Sequence, residues 1–219
     1  MNIIITGDGS HTILVPGLNE HYHSTFGAIT ESKHIFLNTG LKKFTGRTRI
    51  TIFEVGFGTG LNAFLTCIEA KKLSLSVEYH SLEKYPLEPA FALSLNYPSM
   101  IDSASANNLF RQLHSTPWDE AICINENFKL HKIKADLTEY EHKKNYDLVY
   151  FDAFGPDKQP ELWTAEIFTK IYRSLNKGSM LVTYSVKGEV RRALSSAGFI
   201  VEKLPGPEGK REILRAVKV

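Results

Sequence analysis

Apolar and polar positions along the chain fall into two regimes that change near residue 45. Ahead of it, residues 3–6 and 12–15 are short β-prone runs joined by Gly-Asp-Gly-Ser, a pattern that predicts a hairpin. The polar and aromatic stretch PGLNEHYHSTFGAITESKHIFLNTGL follows, and it is expected to extend over a site. Beyond residue 45, short β-branched runs alternate with helical periodicity. Strands are expected at 51–55, 77–82, 129–134, 147–152, 180–184, 200–203 and 213–217. Helices are expected near 61–72, 89–96, 107–113, 165–175 and 188–197. Such alternation predicts an α/β fold, a mostly parallel sheet with helices on both faces. The last two strands are separated mainly by PGPEGKRE, too short for a helical crossover, and are expected to pair antiparallel. The chain thus divides into a small β-rich extension, 1–45, and a main domain, 46–219.

Composition changes this picture little. With 219 residues, 42% of them hydrophobic, the chain is long enough for one sizeable core. It contains no apolar run of about 18 residues and no secretory leader pattern, and its two cysteines, Cys67 and Cys123, lack metal-type spacing. A cytoplasmic protein with no membrane span and no metal is the expectation. Charge is more informative. Residues 170–219 hold 11 Lys and Arg against 4 Asp and Glu, a net of +7, which leaves 15 against 20, or −5, for the remainder. The basic end fits either an anionic partner or a solvated helix face.

Candidate chemistry begins at ITIFEVGFGTGLNAFL, where a strand runs into Gly56, Gly58 and Gly60 and then directly into a helix. Glycines there permit close backbone approach, and the helix N-terminus offers free N–H donors, so a nucleotide-like ligand is expected above the strand ends. The spacing G-x-G-x-G, with Glu54 two residues ahead and Leu61 where a dinucleotide site has its third glycine, departs from G-x-G-x-x-G and lacks a Walker lysine. Glu83 ends the next strand, where a carboxylate can accept both hydroxyls of a ribose. Asp136 follows the third strand, either to accept from an adenine amino group or to form a cap or Asx turn. Asp152 ends the fourth strand and is expected to face the same crevice as the glycines, with Phe154 and Trp163 as an aromatic wall. A carboxylate so placed can take a proton from an amine nucleophile. The histidines show no tight ligand spacing apart from His21 and His23.

The segments GFGTGLN (56–62), SLEKYPL (81–87), FDAFGPDKQPELW (151–163) and GKREIL (209–214), together with ESKHIFLNTGL (31–41), resemble the methyltransferase module of the MnmC family. The likeness is greatest to its stand-alone form, MnmD, which lacks the fused flavin-dependent oxidase. The resemblance implies a class I S-adenosylmethionine methyltransferase fold, Rossmann-like, with an antiparallel last strand. It also implies methylation of the 5-aminomethyl group on wobble uridine 34 of tRNA, giving 5-methylaminomethyl(-2-thio)uridine. By position it makes Gly56, Phe57, Gly58, Gly60 and Asn62 cofactor-loop residues, with Glu83 on the ribose and Asp136 near adenine, and puts Asp152 at the catalytic position with Phe154 beside it; Glu54, Lys84, Leu137 and Asp152 are further cofactor-binding candidates and Phe154 a catalytic one. The family commonly has Gly for Ala153 and Ala or Ser for Gly155, changes that keep these residues small. No second glycine-rich flavin motif is present, so a ready-made aminomethyl group is the expected acceptor. The anticodon loop would meet Lys158, Trp163, Lys187, Arg191, Lys210 and Arg211. Other readings of these residues are a small-molecule N-methyltransferase, an aminopropyltransferase, an inactive RNA-binding protein of the same fold, or an NAD-dependent oxidoreductase.

Overall fold

The Gly-Asp-Gly-Ser turn does join two antiparallel strands, β1 (Asn2–Ile5) and β2 (His11–Val15), in the computed structural model, which describes residues 1–219. A two-residue strand, β3 (Glu20–His21), completes this small sheet. Helix α1 (Ala28–Ser32) follows and widens into a π-type turn over Lys33–Asn38. Asp8 in the hairpin turn receives hydrogen bonds from Ser10 and from both the backbone and the hydroxyl of Thr30. Burial opposes its ionisation, but these donors outweigh it and bring its pKa down to about 2. The turn is thereby tied to the start of α1.

From Arg49 onward the chain builds β4 (Arg49–Val55), α2 (Leu61–Lys72), β5 (Ser76–Glu83), α3 (Pro89–Ala92), α4 (Ala106–Ser115), β6 (Ala121–Asn125) and β7 (Phe128–Lys134). It continues with β8 (Tyr146–Phe151), α5 (Ala165–Arg173), β9 (Leu175–Thr183), α6 (Gly188–Ser196), β10 (Ile200–Pro205) and β11 (Glu212–Val217). The eight strands lie in the order β10-β11-β9-β8-β4-β5-β7-β6. Strands β7, β5, β4, β8 and β9 run parallel, while β11 is antiparallel to both its neighbours, as the short connection requires. The chain leaves β4 toward β5 on one side, and β8 flanks it on the other, so β4 and β8 part at a topological switch point. No helix is long and apolar enough to cross a membrane.

Three elements differ from expectation. β6 was not foreseen: it is an edge strand antiparallel to β7, mostly exposed, so only Ile124 is buried and the run carries little apolar signal. The helix expected over 89–96 stops at Ala92, and a separate 3₁₀ turn, Tyr97–Met100, follows with Pro98 in its first turn. Strand β9 starts at Leu175, inside the range expected for the preceding helix, with a register shift before it settles beside β8.

Two hydrophobic clusters cover the two faces of the sheet. One contains Ile50, Ile52, Tyr79, Leu148 and Tyr150 from the strands and also Ile35, Phe36, Leu37, Leu41 and Phe44 from the N-terminal segment. Phe36 lies against Tyr150 with ring centroids 5.0 Å apart. The other face packs α5 and α6 through Phe168, Ile171, Val190 and Leu194. Residues before 45 therefore close one face of the main sheet. Phe36→Ala is expected to cost about 3–5 kcal/mol, the range for truncating a core phenylalanine, in urea unfolding. A loss below about 1 kcal/mol would show that this segment is only loosely applied.

Glu54 stands in the central strand β4 with 0% of its surface exposed. One carboxylate oxygen accepts from Ser81 Oγ and the other, Oε1, has no partner. Burial raises its pKa from 4.5 to about 8. The folded chain thus binds a proton that the unfolded chain has released, and stability falls as pH rises from about 4.5 to about 8. Glu54→Gln is expected to flatten that decline and to be more stable than the parent at pH 8 and little different at pH 4.5, in denaturant unfolding at the two pH values. Equal loss at both would place an ionised carboxylate at this position.

Candidate active site

Strand β4 ends in a glycine turn because the chain there runs against β8. The amide of Asp152 donates to the Val55 carbonyl at 3.1 Å, and a Cβ on Gly56 would stand 2.8 Å from the Asp152 carbonyl oxygen. Gly56 has φ +90° and Gly58 +49°, and a Cβ on Gly58 would meet the Tyr22 ring at 3.0 Å. Gly60 is the residue before α2; it packs against His114 and does not face the cavity. A cavity of about 550 Å³ opens above this turn, within the range that encloses a nucleotide-sized ligand.

On the β5 side of the cavity, Glu83 accepts the Gly58 amide at 3.0 Å and the Tyr85 amide at 2.8 Å. Each oxygen keeps a free lone pair, so the carboxylate remains able to take two hydroxyls. Asp136 forms the Asx turn, accepting from the amide and hydroxyl of Thr138 at 2.9 and 2.8 Å, and it also pairs with Lys84 at 2.6 Å. Lys84, followed by Thr138, holds the Asp136 carboxyl below its usual range. Phe57, Lys84, Asp136 and Leu137 all line the cavity.

The other end is built around Asp152. Asn62, at the start of α2, donates from Nδ2 to its Oδ2 at 2.7 Å and accepts from Ser32 Oγ. Burial raises the Asp152 carboxyl well above the usual carboxylate range, and the charge of nearby Glu31 adds to that shift against the opposing Asn62 hydrogen bond. The following loop is fixed by its backbone. Tyr184 donates its hydroxyl to the Ala153 carbonyl at 2.8 Å, the Phe154 amide donates to Gln159, and the Trp163 indole N–H donates to the Phe154 carbonyl at 2.8 Å. Phe154 faces Tyr22 edge to face at 5.1 Å. From above, the segment Glu20–Phe26 lines the cavity, and buried His23 is hydrogen-bonded to Thr59 at 2.8 Å with its pKa lowered by burial to about 4, so it is neutral.

The structure brings Gly56, Phe57, Gly58, Asn62, Glu83, Lys84, Asp136, Leu137, Asp152, Phe154, Lys187 and Lys210 to one cavity. It does not bring Glu54 there, since that side chain is sealed between the sheet faces. Trp163, expected in the wall, is 5% exposed and packs on Phe151, so it supports the loop from behind. Lys158, Arg191 and Arg211 also lie outside the lining, and Arg191 borders a separate shallow surface depression on α6. Lys187 reaches the cavity mouth but is ion-paired with Asp157. Glu31, Tyr22 and Tyr184 were missed, because no local spacing links them to the strand ends.

The glycine turn, the free lone pairs of Glu83 and the cavity's size fit an adenosine-bearing cofactor. Residues 108–219 match the family model described as S-adenosyl-L-methionine-dependent methyltransferase. Curated relatives include the tRNA 5-methylaminomethyl-2-thiouridine biosynthesis bifunctional protein MnmC of Hydrogenovibrio crunogenus, 30% identical over 88% of this chain and 30% of the relative. The protein of the same name from Aromatoleum aromaticum is 31% identical over 97% of this chain and 34% of its own length. The chain thus spans about a third of these relatives. Among solved structures, MnmC2 from Aquifex aeolicus superposes with a TM-score of 0.81 at 30% identity, covering 99% of this chain and 70% of that one. Spermidine synthase from Thermotoga maritima, at 14% identity and a TM-score of 0.57, shares the fold alone. With its glycine turn, its carboxylates at successive strand ends and these matches, the chain belongs to the S-adenosyl-L-methionine-dependent methyltransferase family.

Proposed function

We propose that the protein methylates the 5-aminomethyl group of wobble uridine 34 in the anticodon loop of tRNA, giving 5-methylaminomethyl(-2-thio)uridine. The observation that carries this reading is the pair of carboxylates, Asp152 and Glu31, in the cavity that the glycine turn also lines. An acceptor there is most favoured if it is a cation able to release a proton, which an alkyl ammonium is. The name of the MnmC relatives, which concerns 5-methylaminomethyl-2-thiouridine biosynthesis in tRNA, supports the choice of amine.

The residues divide the work by position. Backbone at Gly56, Phe57 and Gly58 would hold the cofactor, with Glu83 on its ribose and Asp136 and Leu137 beside its adenine. Lys84, paired with Asp136, fixes that side. When bound, S-adenosylmethionine supplies an electrophilic methyl group on a positively charged sulfur. Phe154 and Tyr22 offer flat apolar surface to an unstacked base, while Lys187 and Lys210 stand where phosphates would pass. Lys158, Arg191 and Arg211 lie farther out and extend the basic surface. Residues 1–45 serve as the cover of the 46–219 catalytic domain, through Tyr22, His23 and Glu31.

Asp152 handles the proton. Burial biases its carboxyl toward the protonated form, and positive charge entering the cavity shifts it back toward the ionised form. The carboxylate then accepts a proton from the ammonium, leaving the nitrogen lone pair free to bond to carbon. The product nitrogen is again a cation, and the reaction releases one proton overall. Asn62 keeps the carboxyl group in place through its 2.7 Å hydrogen bond to Oδ2.

Transfer of labelled methyl from S-adenosylmethionine to bulk tRNA from cells lacking this protein, followed by nucleoside analysis, tests the proposal. The expected result is 5-methylaminomethyluridine appearing as the aminomethyl form disappears. No label in tRNA, despite cofactor binding, would overturn the substrate. Asp152→Asn is expected to retain cofactor binding and to lose roughly 10²-fold or more in transfer rate, as for loss of a general base. Near-normal turnover would remove Asp152 from that role.

A further inference from the structure

The cavity contains a charge pair whose arrangement goes beyond proton transfer. Glu31, on α1, is 9% exposed. Its Oε2 accepts the Ser24 amide at 2.8 Å, and its Oε1 pairs with Lys210 Nζ at 3.2 Å. The two partners are held very differently. The carboxylate is buried and fixed by backbone, whereas Lys210 reaches in from the turn between β10 and β11 on a flexible stem, with its side chain 29% exposed. Its ammonium also stands 4.8 Å over the Tyr184 ring. Glu31 and Lys210 line the same cavity as Asp152.

A buried carboxylate stripped of its cation is strongly disfavoured. Lys210 can therefore leave Glu31 at little cost only when another cation takes its place. A hydroxymethyl or methyl group on the same uridine carbon brings no charge and cannot make the exchange. An aminomethyl group, protonated at neutral pH, can.

We propose that Glu31 determines acceptor specificity: the substrate ammonium replaces Lys210 on the Glu31 carboxylate, and the released Lys210 turns to the RNA backbone at the cavity mouth. This inference rests on the reading of the acceptor as an aminomethyl group in tRNA. Glu31 holds the cation and Asp152 takes one of its protons. The N–H bond breaks with its electron pair left on nitrogen, and the remaining N–H groups stay directed at Glu31. Discrimination between an amine and its hydroxyl analogue then comes from charge exchange at Glu31 as well as from nucleophilicity.

Three anticodon stem-loop RNAs, identical except for 5-aminomethyluridine, 5-hydroxymethyluridine or uridine at position 34, test the exchange by fluorescence anisotropy. S-adenosylhomocysteine is kept saturating, so that no turnover occurs. The parent protein is expected to bind the aminomethyl RNA roughly tenfold more tightly than the hydroxymethyl RNA, the scale of one charge-assisted hydrogen bond. Glu31→Gln, which retains an acceptor for the Ser24 amide, is expected to bring the two affinities within about twofold while leaving S-adenosylhomocysteine affinity unchanged. Lys210→Met removes the competing cation from a partly exposed position. It is expected to widen the preference for the amine while changing the affinities for the two neutral RNAs little, because with them Lys210 stays on Glu31 in the parent protein, and it gives the answer if Glu31→Gln does not fold. A parent protein with no preference for the aminomethyl RNA would overturn the substrate reading itself. A parent preference that survives in Glu31→Gln, or a preference that shrinks in Lys210→Met, would overturn the role of Glu31 alone.

Discussion

One hydrogen bond, from Asn62 Nδ2 to Asp152 Oδ2 at 2.7 Å, joins the helix after the glycine turn to the end of the neighbouring strand. Asn62 begins the helix that follows the glycine turn, and Asp152 follows the neighbouring strand. Their contact requires that β4 and β8 end side by side, which the parallel register from Ile52 with Leu148 to Val55 with Phe151 ensures. Gly56 lies close enough to the Asp152 carbonyl that any side chain there would force the strand ends apart. Where a parallel sheet divides, such a crevice is the natural ligand position. Here the strand ends that frame the cavity are set by the same few backbone contacts.

Charge within the crevice is balanced around that bond. Glu83, Glu31 and Asp152 supply acidic groups, Lys210 answers one of them, and burial raises the Asp152 carboxyl well above the usual carboxylate range. The proposed reaction, which brings in positive charge with both reactants, fits that balance. The N-terminal segment is part of this balance as well as of the core. It carries Phe36 against the sheet, Ser32 against Asn62 and Glu31 into the cavity, all within one turn and a half of chain.

Much of this arrangement was legible in the sequence because strand-end positions are local signals. A β-branched run followed by glycines marks Gly56 and Gly58, and the carboxylates Glu83, Asp136 and Asp152 stand at the ends of runs whose direction the βα alternation fixes. Glu54 misleads because its place ahead of the glycines resembles a site position, while burial on both faces of a central strand seals it from the cavity. Trp163 misleads in a similar way: its loop belongs to the site, but its indole turns inward to hold the Phe154 carbonyl. Glu31 and Tyr184 carry no such local mark. They reach the cavity that Asp152 lines from an N-terminal helix and from just past β9, through packing that no spacing encodes. The edge strand β6 escapes for a related reason, since an exposed edge needs little apolar pattern.

The protonation of Asp152 is the point on which the proposed chemistry turns. Carbon-13 NMR titration of its side-chain carboxyl, assigned through Asp152→Asn, measures it directly in the free protein and in the presence of S-adenosylmethionine or S-adenosylhomocysteine. The expected midpoint in the free protein lies well above 3.8, falls when the positively charged cofactor binds and moves less with its neutral product. A midpoint near 3.8 in the free protein, unmoved by either ligand, would contradict a carboxyl held in reserve for the amine's proton.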